Sequence, residues 1–257
     1  MKLLQPKNYF YYLIKVYQKF ISFFNYELKI CKQINLDELK KNSKDINDIK
    51  LLTFLNSGCL EICLNMLKSA EYVGIEKEKF YIACLDISSY KELKNRDYVN
   101  SFLYIDQKTS GYQNWSSDSK SGFRNVIKHK WNIISQIYQK YPNLIWVDTD
   151  IVFKSNPIRL LSGHKEILFQ SDLPGSIICT GFMVFNKSKA CKRLIKDCSD
   201  AGAEDDQIVM NRMALTKYRK FIALLPEEFF PNGNSYYIKG LKKDALIVHN
   251  NWILGLE

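Results

Sequence analysis

From Leu51 onward, short apolar runs alternate with stretches whose apolar residues recur at helical spacing, the pattern of a sheet covered by helices. "LLTFL" (Leu51 to Leu55) reads as a buried strand. It is followed by a helix with Leu60, Leu64, Leu67 and Ala70 on one stripe, stopping at Gly74. "FYIACL" is the next strand and runs into Asp86. A helix predicted over Asn125 to Tyr141 turns Ile127, Trp131, Ile134 and Tyr138 inward and leads to the strand "LIWV". "EILFQSD", "GFMVFN" and "ALIVHN" complete the strands, with helices at "SKACKRLIKDC" and "DDQIVMNRMALTKY". The Ser/Gly-rich stretch Thr109 to Gly122 is a polar loop long enough to be a functional element.

The N-terminal region patterns differently. Phe10, Leu13, Ile14, Tyr17, Phe20, Ile21 and Phe24 share one helical face, opposite Lys15, Gln18, Lys19 and Ser22. The lysines interrupt any apolar run of roughly 20 residues, so no transmembrane segment is expected. The helix either packs on its own domain or makes a peripheral membrane contact through residues 8–26. The polar linker "NSKDINDIK" then divides an N-terminal helical extension, 1–48, from one α/β domain, 49–257.

A net charge of +10 fits three partners, nucleic acid, an anionic membrane surface or a phosphate-bearing substrate. No Lys/Arg block resembles a nucleic-acid arm, so no nucleic-acid partner is expected. The seven cysteines are odd in number and lie mostly in apolar segments, which reads as reduced thiols in a cytoplasmic compartment. A soluble or peripherally membrane-associated enzyme follows.

The chemistry concentrates at "IWVDTDIVFKSNP", where an apolar run meets two aspartates one residue apart. In extended chain both carboxylates point to one side, with Thr149 on the other, at the carboxyl end of a central strand. Two hard oxygen ligands there suit Mn²⁺ or Mg²⁺ bridging to the phosphates of a nucleotide.

That segment resembles the DxD motif of the nucleotide-diphospho-sugar transferase family, which includes the family 77 glycosyltransferases. Blocks similar to the family's follow in order: "LLTFLNSGCLEICLNML", "YIACLD", "LFQSD", "TGFMVFN", "DDQIVMN", "LPEEFFPNG" and "HNNWILG", spanning roughly Leu51 to Gly255. The resemblance implies a GT-A (Rossmann-like) mixed sheet flanked by helices, and a retaining glycosyltransferase using Mn²⁺ (or Mg²⁺) with a UDP- or GDP-sugar and a glycan acceptor. It assigns Asp148, Asp150 and His249 to the metal. It assigns Leu55, Asn56, Ser57, Asp86, Lys130, Asp148 and Thr149 to the nucleotide, with Lys130 neutralising phosphate charge, and Asp206, Gln207 and Asp172 to the sugar and its reactive carbon. Retention through a nucleophile at Asp206 or Gln207, and same-face attack by the acceptor, both stay open. Tyr112, Trp115, Tyr236 and Trp252 are candidates for an acceptor platform. The family's plant members carry a membrane anchor that is not legible here, so cytosolic acceptors are expected.

Two other functions compete. A metal-dependent nucleotidyl- or phosphotransferase also needs paired aspartates, but it would carry a glycine-rich phosphate loop, and neither GxxxxGK[ST] nor GxGxxG is present. A basic nucleic-acid-binding protein would bind in a steeply salt-dependent way without needing Asp150.

Overall fold

The computed structural model describes residues 32–44, 48–104, 129–173, 177–201 and 206–251. The helix expected around Phe10 to Phe24 and the loop Thr109 to Gly122 lie outside them, as do Tyr112, Trp115, Ile127 and Trp252. Ten strands are described: β1 (Lys32–Gln33), β2 (Lys50–Leu55), β3 (Phe80–Cys84), β4 (Ser101–Leu103), β5 (Leu144–Val147), β6 (Ile151–Phe153), β7 (Ile167–Leu173), β8 (Ile177–Phe185), β9 (Ile222–Leu224) and β10 (Ile247–His249). The α-helices are α1 (Leu36–Asn42), α2 (Leu60–Tyr72), α3 (Ile87–Asn95), α4 (Lys130–Lys140), α5 (Ile158–Leu161), α6 (Lys189–Asp200) and α7 (Asp206–Met213). None of the described helices is long and apolar enough to cross a membrane.

Eight strands form one sheet in the order β1-β9-β7-β8-β5-β2-β3-β4. Its neighbours pair in parallel except at β8, which runs antiparallel to both β5 and β7. This is the mixed α/β sheet expected from the sequence. Both faces are covered, so the central strands are apolar on both sides. Along β5, Ile145 and Val147 join a core under α1, α2 and α5, whereas Leu144 and Trp146 join a second core under α4, α6 and α7.

Local signals set the helix limits. Ser188 caps α6 by accepting from the Cys191 N–H at 3.0 Å, and Cys191, Leu194, Ile195 and Cys198 form its buried stripe. On α2 the buried stripe is Cys63, Met66, Leu67 and Ala70. Leu60 and Leu64, expected inside, are only partly buried at its edge, because the helix turns its sulfur-bearing side to the sheet. Past the end of α2, Gly74 takes φ 77°, a left-handed conformation that glycine adopts without strain. The described part of the helix expected from Asn125 begins at Lys130, with Trp131, Ile134 and Tyr138 buried as expected. The strand "ALIVHN" forms not in the main sheet but in a two-stranded ribbon, β10 with β6, which pairs His249 with Ile151.

Lys32–Gln33 pairs with β9 at the edge of the main sheet, and α1 behind it is closed by a capping box between Asn35 and Glu38. Leu39 on that helix is fully buried in the core that also holds Ile49 and Leu161. The described part of the expected N-terminal extension is thus packed on the domain. Leu39→Ala is expected to cost about 2–5 kcal/mol in urea unfolding, as for other buried leucines. A loss under about 1 kcal/mol, typical of surface positions, would show that α1 lies outside the cooperative core.

Candidate functional site

The carboxyl ends of the parallel strands β5, β2 and β3 lie side by side, because Leu52 pairs with both Trp146 and Tyr81. Ligands of open α/β sheets bind at such an edge. The extended course expected through Asp148 and Asp150 is corrected: β5 stops at Val147, and residues 148–150 make a turn. The Asp148 N–H donates to the Gly181 carbonyl at 2.8 Å, while the Asp150 carbonyl accepts from the Asn250 N–H at 3.0 Å. The chain is therefore pulled out of the main sheet and into the β6–β10 ribbon. The turn still converges the side chains: Asp148, Asp150 and His249 offer ligand atoms that all lie within 4.8 Å of one another.

His249 is buried, and its Nε2 lies 3.2 Å from Asp150 Oδ1. Burial alone would lower the imidazole pKa, but the adjacent Asp150 carboxylate raises it well above its ordinary value. Burial likewise pushes the Asp150 carboxyl up, and the His249 charge more than offsets this and holds it below the usual range. The imidazole rests on Gly181, where a Cβ would overlap Cε1. Two carboxylates and one imidazole form a donor set suited to Mn²⁺, which accepts mixed oxygen and nitrogen ligation, and less selectively to Mg²⁺.

Lys130, at the start of α4, is only 3% exposed. Its ammonium stands 3.3 Å from Asp148 Oδ1 and 2.9 Å from Asp206 Oδ2, above the ring of Trp146 at 5.0 Å. Burial would lower its pKa, yet the two carboxylates raise it above the ordinary lysine value, so it stays charged. Asp148 Oδ1 also accepts from the Trp146 indole N–H at 2.7 Å. Both contacts thus fall on Oδ1, which orients the carboxylate.

One residue on, Gln207 donates from Nε2 to Asp172 Oδ2 at 2.9 Å. Asn251 donates to the other oxygen, Asp172 Oδ1, at 3.2 Å, and Asn232 donates to the Asp172 carbonyl. Gln207, Asp172 and Asn251 thus form one network that reaches the chain just past His249, while Asp206, next to Gln207 in the chain, pairs with Lys130 and through it with the metal-type cluster.

Four of the residues expected at the nucleotide, Leu55, Asn56, Ser57 and Asp86, gather at the ends of β2 and β3, whereas Lys130 starts α4 and Asp148 and Thr149 lie after β5. Leu55 is buried at the end of β2. The Asn56 side chain accepts from the Gly58 N–H at 3.1 Å and caps a 3₁₀ turn, while Ser57 donates its N–H to Asp86 Oδ2. Asp86 also caps α3, accepting from the Ser89 N–H at 2.8 Å. Burial works against its ionisation, but these N–H donors hold the carboxyl below the usual range. Thr149 is half-buried within the 148–150 turn. Tyr236, expected on an acceptor platform, instead has its hydroxyl bonded by Lys154 at 3.0 Å, with Lys154 and Lys242 over its ring.

Six participants are not singled out by the sequence: Trp146, Gln170, Cys179, Gly181, Asn232 and Asn251. Gln170 and Asp172 are two apart in "LFQSD", and this spacing was the available signal that they share a strand face. Nothing local marked Gly181.

A family model described as nucleotide-diphospho-sugar transferase matches residues 76–257. A UDP-galactose:fucoside alpha-3-galactosyltransferase of Dictyostelium discoideum is 24% identical over 266 residues, covering 80% of this chain and 40% of that protein. A UDP-D-xylose:L-fucose alpha-1,3-D-xylosyltransferase of Arabidopsis thaliana is 25% identical over 177 residues, covering 55% of this chain and 48% of that protein. The chain therefore spans less than half the length of these relatives. The apo structure of the WbbM bifunctional glycosyltransferase superposes with a TM-score of 0.54 over 85% of this chain and 47% of that one, at 13% identity. At that identity the likeness is one of fold. With more than half of its length matched by the family model, the chain belongs to the nucleotide-diphospho-sugar transferase family.

Proposed function

We propose that this protein is a divalent-metal-dependent glycosyltransferase that moves a sugar from a UDP-sugar to a glycan hydroxyl with retention of configuration. The observation that carries this reading is the convergence of Asp148, Asp150 and His249 beside the Asp172–Gln207–Asn251 network. The first group has the chemistry to hold a cation at a diphosphate. The second presents the carboxylate and amide groups that recognise sugar hydroxyls.

Asp148, Asp150 and His249 would hold Mn²⁺, which when bound supplies positive charge to the departing diphosphate. The chain's own residues do the rest. Ser57 and Asn56, at the end of β2, border the nucleotide, and the ordered turn they form with Asp86 keeps that edge rigid. Asp172 accepts hydroxyls of the transferred sugar. Its two oxygens are oriented by Gln207 and Asn251.

Asp206 is buried with the Lys130 ammonium upon it, which makes it a weak nucleophile. This favours same-face attack by the acceptor over a covalent intermediate at Asp206. Gln207 then orients the sugar rather than bonding to it. Lys130 acts on the phosphates indirectly, by fixing Asp148.

Both named relatives carry UDP-sugar and fucose or fucoside in their names, with an alpha linkage in the product. A fucose-terminated acceptor is accordingly the first to try. An α-linked UDP-sugar giving an α product means retention.

UDP release from UDP-galactose and UDP-xylose, with a fucoside acceptor, is expected to require Mn²⁺. Asp150→Ala should lower it on the order of 100-fold, the scale of losing one preorganised electrostatic contact. Metal-independent release, or an Asp150→Ala enzyme of undiminished rate, would sink the metal-dependent reading. Asp172→Asn is expected to lower kcat on the order of 100-fold while Mn²⁺ affinity holds, since Asp172 serves the sugar. A proton NMR spectrum of the early product is expected to show the α anomer, and a β anomer would refute retention.

A further inference from the structure

His249 has two ring nitrogens, and only one of them can face a cation at Asp148 and Asp150. Nε2 is that nitrogen, 3.2 Å from Asp150 Oδ1. Two groups meet the other, Nδ1: Gln170 Oε1 at 3.0 Å and Cys179 Sγ at 3.4 Å. They are cross-strand partners, paired where the β7–β8 register shifts just after Phe169. Such bulges redirect side chains beside functional sites.

Gln170 is fully buried, and the direction of its amide follows from its neighbours. Its Nε2 lies 3.0 Å from the carbonyl of Phe230 and 3.0 Å from that of Pro231. Carbonyl oxygens accept only, so the amide NH₂ must face them and Oε1 must face His249. An acceptor at Nδ1 requires that this nitrogen carry the proton. A cation at Asp148 and Asp150 would displace only the proton that Nε2 shares with Asp150, leaving the Nε2 lone pair on that side. Cys179 is the poorer partner, since a thiol accepts weakly, and it already meets the Gly181 N–H at 3.4 Å. Gly181 closes the remaining side of the ring, where a Cβ would overlap Cε1.

We propose that Gln170 is a positioning residue that fixes His249 as the Nδ1–H tautomer and so presents Nε2 to a divalent cation at Asp148 and Asp150. The proposal rests on the metal reading given above. It adds that metal affinity depends on a buried amide outside the ligand set, as ligating histidines generally depend on a partner for their second nitrogen. Because the amide is anchored on Phe230 and Pro231, it also ties the metal site to the segment carrying Asn232, which bonds Asp172.

The test uses Mn²⁺ alone, titrated by the loss of its free-ion electron paramagnetic resonance signal, on the whole protein and on Gln170→Leu and Cys179→Ala. Gln170→Leu is expected to bind Mn²⁺ about 10–100-fold more weakly. Cys179→Ala is expected to stay within about twofold of the parent, because the thiol is a minor acceptor. A merely structural effect would not select a ring nitrogen, so the second readout is the tautomer. The chain has three histidines, and nitrogen-15 histidine spectra with diamagnetic Zn²⁺ identify the His249 signals by their loss in His249→Asn. The parent protein is expected to show Nε2 bound to the metal and Nδ1 protonated. Unchanged Mn²⁺ affinity in Gln170→Leu, the larger loss in Cys179→Ala, or an Nδ1-bound metal in the parent would each overturn the assignment. The parent spectrum decides the matter even if Gln170→Leu does not fold. A parent protein that binds no Mn²⁺ would overturn the metal reading itself, and this inference with it.

Discussion

The candidate site is organised around one buried ammonium. Lys130 sits between Asp148 and Asp206, over the indole of Trp146, with almost no contact with water. Taking that charge out of water costs several kcal/mol unless carboxylates at close range compensate. Here two do, and each belongs to a different part of the site: Asp148 to the metal-type cluster, Asp206 to the helix that carries Gln207. Removing the ammonium would leave two carboxylates facing each other in a poorly solvated space. The cation needs both carboxylates as much as they need it, so the turn after β5 and the start of α7 are held in fixed relation.

The sheet supplies the frame for that relation. Seven strands run one way and bring their carboxyl ends to a common edge, while β8, the reversed strand, enters the same edge from the other side. The Gly181 carbonyl on β8 holds the Asp148 N–H, and the Gly181 α-carbon makes room for the His249 ring. The β6–β10 ribbon then carries His249 back over the edge. Three chain segments far apart in sequence thus meet at one imidazole. The same strand, β7, reaches both halves of the site, with Gln170 at His249 and Asp172 at Gln207. A shift in β7 would therefore disturb cation and sugar recognition together.

Much of this was legible beforehand. The strands "LLTFL", "FYIACL" and "LIWV" were read from apolar runs, and their neighbours in the sheet satisfy the same pattern. The paired aspartates stood out because unpaired carboxylates are costly next to a buried strand. The grouping of Asp148, Asp150 and His249 was reached through family resemblance, and the three side chains do converge. The local path between the aspartates was read less well. Alternation implies an extended chain, whereas hydrogen bonds to the Gly181 carbonyl and from the Asn250 N–H, both distant in sequence, bend residues 148–150 into a turn. Tyr236, a platform candidate in the sequence, is half-buried and is approached by Lys154 and Lys242, partners that no local pattern announced.

The sequence by itself determined the elements and the chemical inventory: which segments bury both faces, where helices are capped, and which carboxylates, amides and imidazoles exist. Those properties depend on periodicity and on neighbours within a few residues. Only the tertiary structure decided how that inventory is wired. Whether Lys130 meets solvent or two aspartates, whether Gln170 faces His249, and why residue 181 must lack a side chain are set by pairs about 20 to 80 positions apart in the chain. Electrostatic and hydrogen-bond energies depend on distances of a few ångströms. Those distances are fixed by the packing of the sheet and its helices, and no short stretch of residues encodes them.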